Sequence, residues 1–397
     1  MSLIMTVTGP IASDDLGPTV MHEHLLADLR VQWRDPANER ATVRGLRDTP
    51  VTLELLPLLR RYPQSTTLDN LLLADEATAI EEVEHFHRAG GSCIVDLTNY
   101  GLSRDPISLF RISRATGVNI VMGGGCYVEN AHPEWVHDAS VDEMADLFVS
   151  DFFDGVDGTG ISTGIIGEVG MSGYPKGSAR RPRDRIGDMT AAEEKVLRAS
   201  ARAGVATGQA VSVHVSMAGR GAPVAIDTLE SEGLPPSRQV MCHMDSVPDV
   251  EYHRQVMSRG ATVEFSSFGR EYYEDRAGAS LGHDASRIAL ISQLVTEGYA
   301  DRIVISQDVC MKMDLRAYGG NGYGHILTTV VPRLRRAGVP GDAIRQMLVD
   351  NPRRLLTLEL GTDDIERLRS RVSYPLFDPP VYPADDLRSV ARNGHWA

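Results

Sequence analysis

The chain has 397 residues, 42% hydrophobic and 24% charged, which is enough apolar content for a large core and excludes disordered, collagen-like and coiled-coil classes. Forty Lys and Arg against 54 Asp and Glu leave a net charge of −14, a balance that disfavours nucleic acid and anionic membrane surfaces as partners. The opening MSLIMTVTGPIASDDLGPTV lacks a secretory pattern, no apolar run approaches the roughly 20 residues of a membrane span, and Cys93, Cys126, Cys242 and Cys310 form no CxxC, so a cytoplasmic protein with reduced thiols is expected.

In chain order, the first strand signal is PTVMHEHL (18–25), followed by a long excursion over 26–74 with a short helix expected at VTLELLPLLRRY (51–62). Ala79, Val83 and Phe86 then follow helical spacing up to Gly90 and Gly91, before strands SCIVDL (92–97) and VNIVMGGG (118–125). Ser140 with Glu143 has capping-box spacing ahead of a Met144, Leu147, Phe148 stripe, and STGIIGE (162–168) is the fourth strand. Thr190 with Glu193 opens another helix, followed by strand QAVSVHV (209–215), helix 222–232, strand RQVMCH (238–243) and helix 248–259. Strand ATVEF (261–265), helix 284–298, strand RIVISQD (302–308) and helix 324–337 complete the alternation. Eight strand–helix units with near-continuous apolar strands predict an α/β chain folded as a (β/α)8 TIM barrel over 1–370, with 26–74 inserted after the first strand and a Pro-rich tail over 371–397. A doubly wound open sheet is the other arrangement that such alternation allows. The excursion could serve as a lid or as the interface of a homodimer.

The polar residues fall where a parallel barrel opens. His22 and His24 share one strand face by the period of two, and Glu168, His214, His243 and Asp308 fall at the ends of the fourth, fifth, sixth and eighth strands. Buried unpaired, six such groups would be costly, whereas divalent cations satisfy them together. The donor count points to two ions: His22, His24 and Asp308 for one, His214 and His243 for the other, and Glu168 bridging ions about 3.5–4 Å apart. Imidazole and carboxylate without thiolate suit Zn2+ best, with Mn2+, Co2+ or Fe2+ as alternatives.

This constellation, with TVTGPIASDDLGPTVMHEHLL, SCIVDLTNYGLSRDP, GIIGEVGMSG, VHVSMAG, CHMDSV, ISQD and KMDLRAYGGNGYGHILTTVVPRLRRAGV in order, resembles the phosphotriesterase family of the amidohydrolase superfamily over about residues 5–357. Within it the chain is most similar to the phosphotriesterase-related branch, some of whose members are labelled resiniferatoxin-binding. The resemblance implies that His22 and His24 match the family's HxH, Glu168 its bridging position, His214 and His243 its strand-five and strand-six histidines, and Asp308 its strand-eight aspartate. Glu168 stands where the best-known members carry a carboxylated lysine, as in the phosphotriesterase homology proteins. Ser266 and Ser267 stand in the region of the relay histidine.

The chemistry expected is hydrolysis by a metal-bridging hydroxide, with Asp308 accepting its proton. The substrate would be a small molecule: a lactone, carboxylic ester or N-acyl amide, with a phosphotriester or phosphodiester as the alternative and a non-catalytic binding role as a third. Tyr127, Arg270, Tyr272 and Tyr273 are candidate substrate contacts on the loops at the metal-bearing end, with Arg270 suited to a carboxylate or sulfonate. The GGNGYG run (319–324) is expected to give the last loop backbone freedom.

Overall fold

Eight short runs rich in Val and Ile pair side by side in a computed structural model that describes residues 2–35, 43, 45–172, 189–215, 220–274, 279–280, 282–362, 364 and 368. They are β1 (Thr19–Glu23), β2 (Cys93–Asp96), β3 (Asn119–Gly124), β4 (Ile165–Met171), β5 (Val211–Val215), β6 (Gln239–Met241), β7 (Thr262–Phe265) and β8 (Ile303–Ile305). Each pairs in parallel with the next, and the sheet curls into a barrel, as expected from the sequence. Helices α1 (Glu76–Arg88), α2 (Pro106–Thr116), α3 (Val141–Phe153), α4 (Ala191–Thr207), α5 (Ala222–Ser231), α6 (Val250–Ser258), α7 (Asp284–Thr296) and α8 (Val331–Arg336) follow the strands in turn.

Local sequence explains most of these elements. Both capping boxes form, Ser140 with Glu143 and Thr190 with Glu193. The α1 stripe of Ala79, Val83 and Phe86 is buried, and a Cβ at Gly91 would stand 2.3 Å from the Phe86 ring, so the turn into β2 needs glycine there. Helix α2 is marked by its end signals: Asp105 accepts from Ser108 N–H, Pro106 starts the first turn, and Gly117 ends it at φ 71°. Between 51 and 62 the structure holds only a turn at Leu53–Leu55 and one helical turn at Leu56–Leu59, because Pro63 follows closely and prevents continuation. The tail over 371–397 lies outside the described residues.

Two apolar layers sandwich the sheet. Val20, Ile94, Ile120, Val213, Met241 and Val263 face the helices, whereas Met21, Cys93, Val95, Val121, Val240 and Val304 fill the barrel. An N-terminal hairpin, Ser2–Thr6 with Gly9–Ala12, pairs antiparallel with Thr357–Glu359 and closes the floor through Ile4, Leu355 and Leu356.

No strand ladder joins β8 to β1 among the described residues. The seam is closed just beyond the strand ends, where Asp308 N–H donates to His22 O at 3.1 Å and His24 N–H to Val309 O at 3.2 Å. Glu23, fully buried between His22 and His24, accepts from Ser306 Oγ at 2.7 Å and from the N–H groups of Gln307 and Val309, each at 2.9 Å. Ser306 Oγ also accepts from His22 N–H at 2.9 Å. Replacing Glu23 with Gln would set an amide NH2 against those donors. We expect Glu23→Gln to lose about 1–3 kcal/mol, the cost of a buried donor left unsatisfied, read as a lower midpoint in chemical denaturation.

Candidate metal centre

Register irregularities aim the donors. In β1 the pairing with β2 runs Thr19↔Cys93 and Val20↔Ile94 but Glu23↔Asp96, so one extra residue sits in β1 before His22 and His24. The extra residue changes the phase of the pleat, which lets Met21 below and both histidines above face the barrel interior. In β4 the pairing with β5 shifts in the same way between Ile166 and Val169, at Glu168. Glu168 therefore lies within its strand, which runs three residues further than the sequence suggested. His243 and Asp308 both take left-handed backbone conformations, φ 57° and 53°, which cost about 1–3 kcal/mol each and occur where surrounding structure enforces them.

The six expected ligands converge. Glu168 Oε2 is 2.7 Å from His214 Nδ1, 3.3 Å from His243 Nε2 and 3.4 Å from His22 Nε2, while Oε1 is 3.5 Å from His24 Nε2. Asp308 Oδ1 lies 3.5 Å from His24 Nε2 and 3.8 Å from His22 Nε2. The donor atoms of His22, His24 and Asp308 lie within 4.8 Å of one another, as do those of His22, Glu168 and His243. His22 Nε2 is buried without a hydrogen-bond partner although it faces two carboxylates. Burial would lower the pKa of His22 and His24, yet the facing carboxylates dominate, raising His24 to about 9 and His22 well above the usual imidazole value. The pocket therefore stabilises positive charge, and its nitrogen and oxygen donors fit divalent cations.

Second partners hold the imidazoles. His24 Nδ1 meets Thr98 Oγ1 at 3.0 Å, His243 Nδ1 meets Ser266 Oγ at 2.7 Å, and His22 Nδ1 meets Glu264 Oε2 at 3.1 Å. The N–H groups of Ser266 and Ser267 donate to Asp245, which in turn pairs with Arg287 at 2.6 Å. Ser266 thus supports a candidate ligand. Of these partners the sequence offered one signal, a lone carboxylate at Glu264 in an otherwise apolar strand.

Arg270 is buried against the centre: its Nη1 donates to Asp308 Oδ2, and its Nε donates to Tyr272 Oη at 2.6 Å. Burial opposes ionisation of Arg270, but Asp308 and its anionic neighbours raise its pKa well above the usual value. Burial likewise opposes ionisation of Asp308, but Arg270, followed by His24 and His22, holds its carboxyl below the usual range. A cavity of about 280 Å3 opens beside Arg270, lined in part by Arg270, Tyr272, Asp314, Asn321, Arg60 and His325. Tyr127 is buried, its ring edge-on to His214 at 5.0 Å and its hydroxyl accepting from Gln32 Nε2 at 3.1 Å. Tyr273 opens a short strand with Glu274, and its side chain lies outside the described residues. The GGNGYG run is tightly folded: Gly322 N–H donates to Asp314 O at 2.8 Å, and a Cβ on Gly320 would stand 2.2 Å from the Asp314 backbone. Gly320 and Gly322 serve close approach, and Gly319 and Gly322 take φ of 86° and 64°, the backbone freedom expected of glycine in this loop.

The excursion after β1 forms part of this mouth. Leu29, Val51, Leu59 and Leu71 pack in one cluster with Tyr127, Tyr272, Met311 and Met313 from the barrel loops. Lys312 Nζ pairs with Asp69 at 2.6 Å, and Met313 N–H donates to Asn70 Oδ1 at 3.0 Å.

The sequence model of the Phosphotriesterase family matches residues 2–356. An N-acetyltaurine hydrolase from Xenopus tropicalis is 34% identical over 360 residues, spanning 90% of this chain and 98% of the relative. The crystal structure of a resiniferatoxin-binding protein from Rhodobacter sphaeroides superposes with a TM-score of 0.83 at 40% identity, covering 89% of this chain and 94% of that one. A lactonase from Listeria monocytogenes superposes with a TM-score of 0.71 at 26% identity, covering 90% of this chain and all of the other. Since the family match spans the whole barrel and relatives of nearly full length are hydrolases, the chain belongs to the phosphotriesterase family and is a hydrolytic enzyme.

Proposed function

We propose that the protein is a binuclear metal-dependent hydrolase of small N-acyl amides that bear an anionic group. The observation that carries the binuclear reading is Glu168, whose two oxygens face four imidazoles at 2.7–3.5 Å with Asp308 opposite. In this reading His22, His24 and Asp308 would hold one ion, His214 and His243 the other, and Glu168 would serve both. The buried guanidinium of Arg270 beside the cavity supports an anionic substrate, and the N-acetyltaurine hydrolase relative supports an amide over a phosphotriester. A lactone is the second reading, supported by the lactonase neighbour, since lactone and amide present the same carbonyl.

Bound divalent ions would supply Lewis acidity to the scissile carbonyl and make a water nucleophilic at neutral pH. Asp308 accepts the proton released as water adds and passes it to the departing nitrogen, so an amide and water leave as carboxylate and amine. Arg270 grips the anionic group by charge-assisted hydrogen bonds, with Tyr272 Oη fixing its orientation. Tyr127 walls the site beside His214 and limits the acyl group by shape.

Chelator-stripped protein should lose turnover and regain it as about two Zn2+ per chain are restored. Recovery should not depend on bicarbonate, because Glu168 is a carboxylate without modification, and Glu168→Gln should weaken retention of both ions in elemental analysis. Saturation at one ion with full activity would refute the binuclear assignment. Asp308→Asn should retain most of the metal yet lower kcat roughly 10²-fold or more, measured on an N-acetyl amino sulfonate or carboxylate. For Arg270→Met, KM should rise roughly 10- to 100-fold more for that anionic amide than for a neutral ester of similar size, the scale of a charged hydrogen bond. An equal effect on both substrates would assign Arg270 to Asp308 alone.

A further inference from the structure

Beneath the imidazoles lies a carboxylate that the reaction above does not use. Glu264 on β7 is fully buried, with Oε2 3.1 Å from His22 Nδ1 and Oε1 without a hydrogen-bond partner. The far side of the same ring presents Nε2 to Glu168 and Asp308 at 3.4 and 3.8 Å. Among the described residues no Lys or Arg lies within ion-pair distance of Glu264, and its only ion-pair contact is His22. The adjacent Cys242 adds no charge beside it: burial pushes its thiol well above the ordinary range, so it stays neutral, and its Sγ lies 2.9 Å from Ser212 Oγ. A carboxylate kept in an apolar barrel with half its acceptors unused incurs a desolvation cost with no structural return in the barrel itself.

We propose that Glu264 is a positioning residue for the metal centre: it accepts the Nδ1–H of His22, fixing the tautomer that directs the Nε2 lone pair at the cation, and it adds buried negative charge beneath that cation. The proposal rests on the reading of His22 as a ligand. Three ligand imidazoles are backed at Nδ1, His24 by the Thr98 hydroxyl and His243 by the Ser266 hydroxyl, both neutral. Of these three partners Glu264 alone is charged. A carboxylate behind an imidazole makes it a more basic donor and holds its plane, so this side chain acts on metal affinity without touching metal or substrate. Two dications bring four positive charges to a centre whose direct carboxylates, Glu168 and Asp308, bring two negative ones, and Glu264 supplies a third.

The test is Zn2+ titration of the full-length apo-protein against a competing chelator for the native chain, Glu264→Gln and Glu264→Leu, with the thermal midpoint of each apo-protein measured in parallel. Zinc affinity should fall roughly 10- to 100-fold in Glu264→Leu. It should fall less in Glu264→Gln, which keeps an acceptor oxygen for His22 and loses only the charge. The apo midpoint of Glu264→Gln should stay at the native value, and that variant carries the test if Glu264→Leu does not fold. Unchanged zinc affinity in both variants while the native protein binds zinc overturns the proposal alone. A Glu264→Gln apo-protein whose midpoint falls in step with its zinc affinity also overturns it, by assigning Glu264 to folding. A native protein that takes up no zinc overturns the reading of the centre itself, and this proposal with it.

Discussion

The buried carboxylate of Glu23 ties the end of the eighth strand to the end of the first, and the candidate centre depends on that join. β8 stops at Ile305, three residues before Asp308, and among the described residues no ladder carries it to β1. The carboxylate's three donors, from Ser306, Gln307 and Val309, replace the missing ladder and set the left-handed turn at Asp308 directly across from His22 and His24. A residue between two candidate ligands, turned to the opposite face of its strand, thereby fixes where the third one stands. Part of the centre is thus built at a seam where the described residues form no ladder, and specific buried hydrogen bonds take over there.

The second organising constraint is charge. Four imidazoles face Glu168, with Asp308 beside His22 and His24 and Glu264 behind His22, in a largely buried region where interactions between charges are strong. Without a cation, protons on the imidazoles and the Arg270 guanidinium offset these carboxylates, and Asp308 and Glu168 raise His24 to about 9 against the effect of burial. A site arranged in this way takes up cations in exchange for protons, so metal uptake and proton release are linked.

Much of this was legible in the sequence because it rests on local pattern. Eight apolar β-branched runs mark the strands, Ser140 with Glu143 and Thr190 with Glu193 mark helix starts that form as written, and the six strand-end residues stand together around Glu168 and Asp308. The remainder depends on contacts between distant residues. The extra residues in β1 and β4 leave no mark in a period-two pattern, which shows that residues share a face but not where the phase changes. Arg270 reads as a loop cation and becomes a buried partner of Asp308 only because β7 and β8 are neighbours. Tyr127 reads as a pocket residue, yet Gln32 from the excursion holds it against His214. The strand at Thr357–Glu359 exists only because it pairs with residues 2–4 at the other end of the chain.

The excursion after β1 shares its apolar layer with the loops that carry Tyr127, Tyr272 and Met313. Swinging the described part of the excursion aside as a separate flap would strip that layer from both partners and break Lys312 from Asp69. The rim on this side is therefore preorganised: a molecule entering there meets a wall already in its final shape, and little ordering entropy is lost on binding. A preorganised wall also makes the fit selective. Trimming Leu59 or Val51, both remote from the reacting atoms, would change which molecules are admitted before it changed how fast they react.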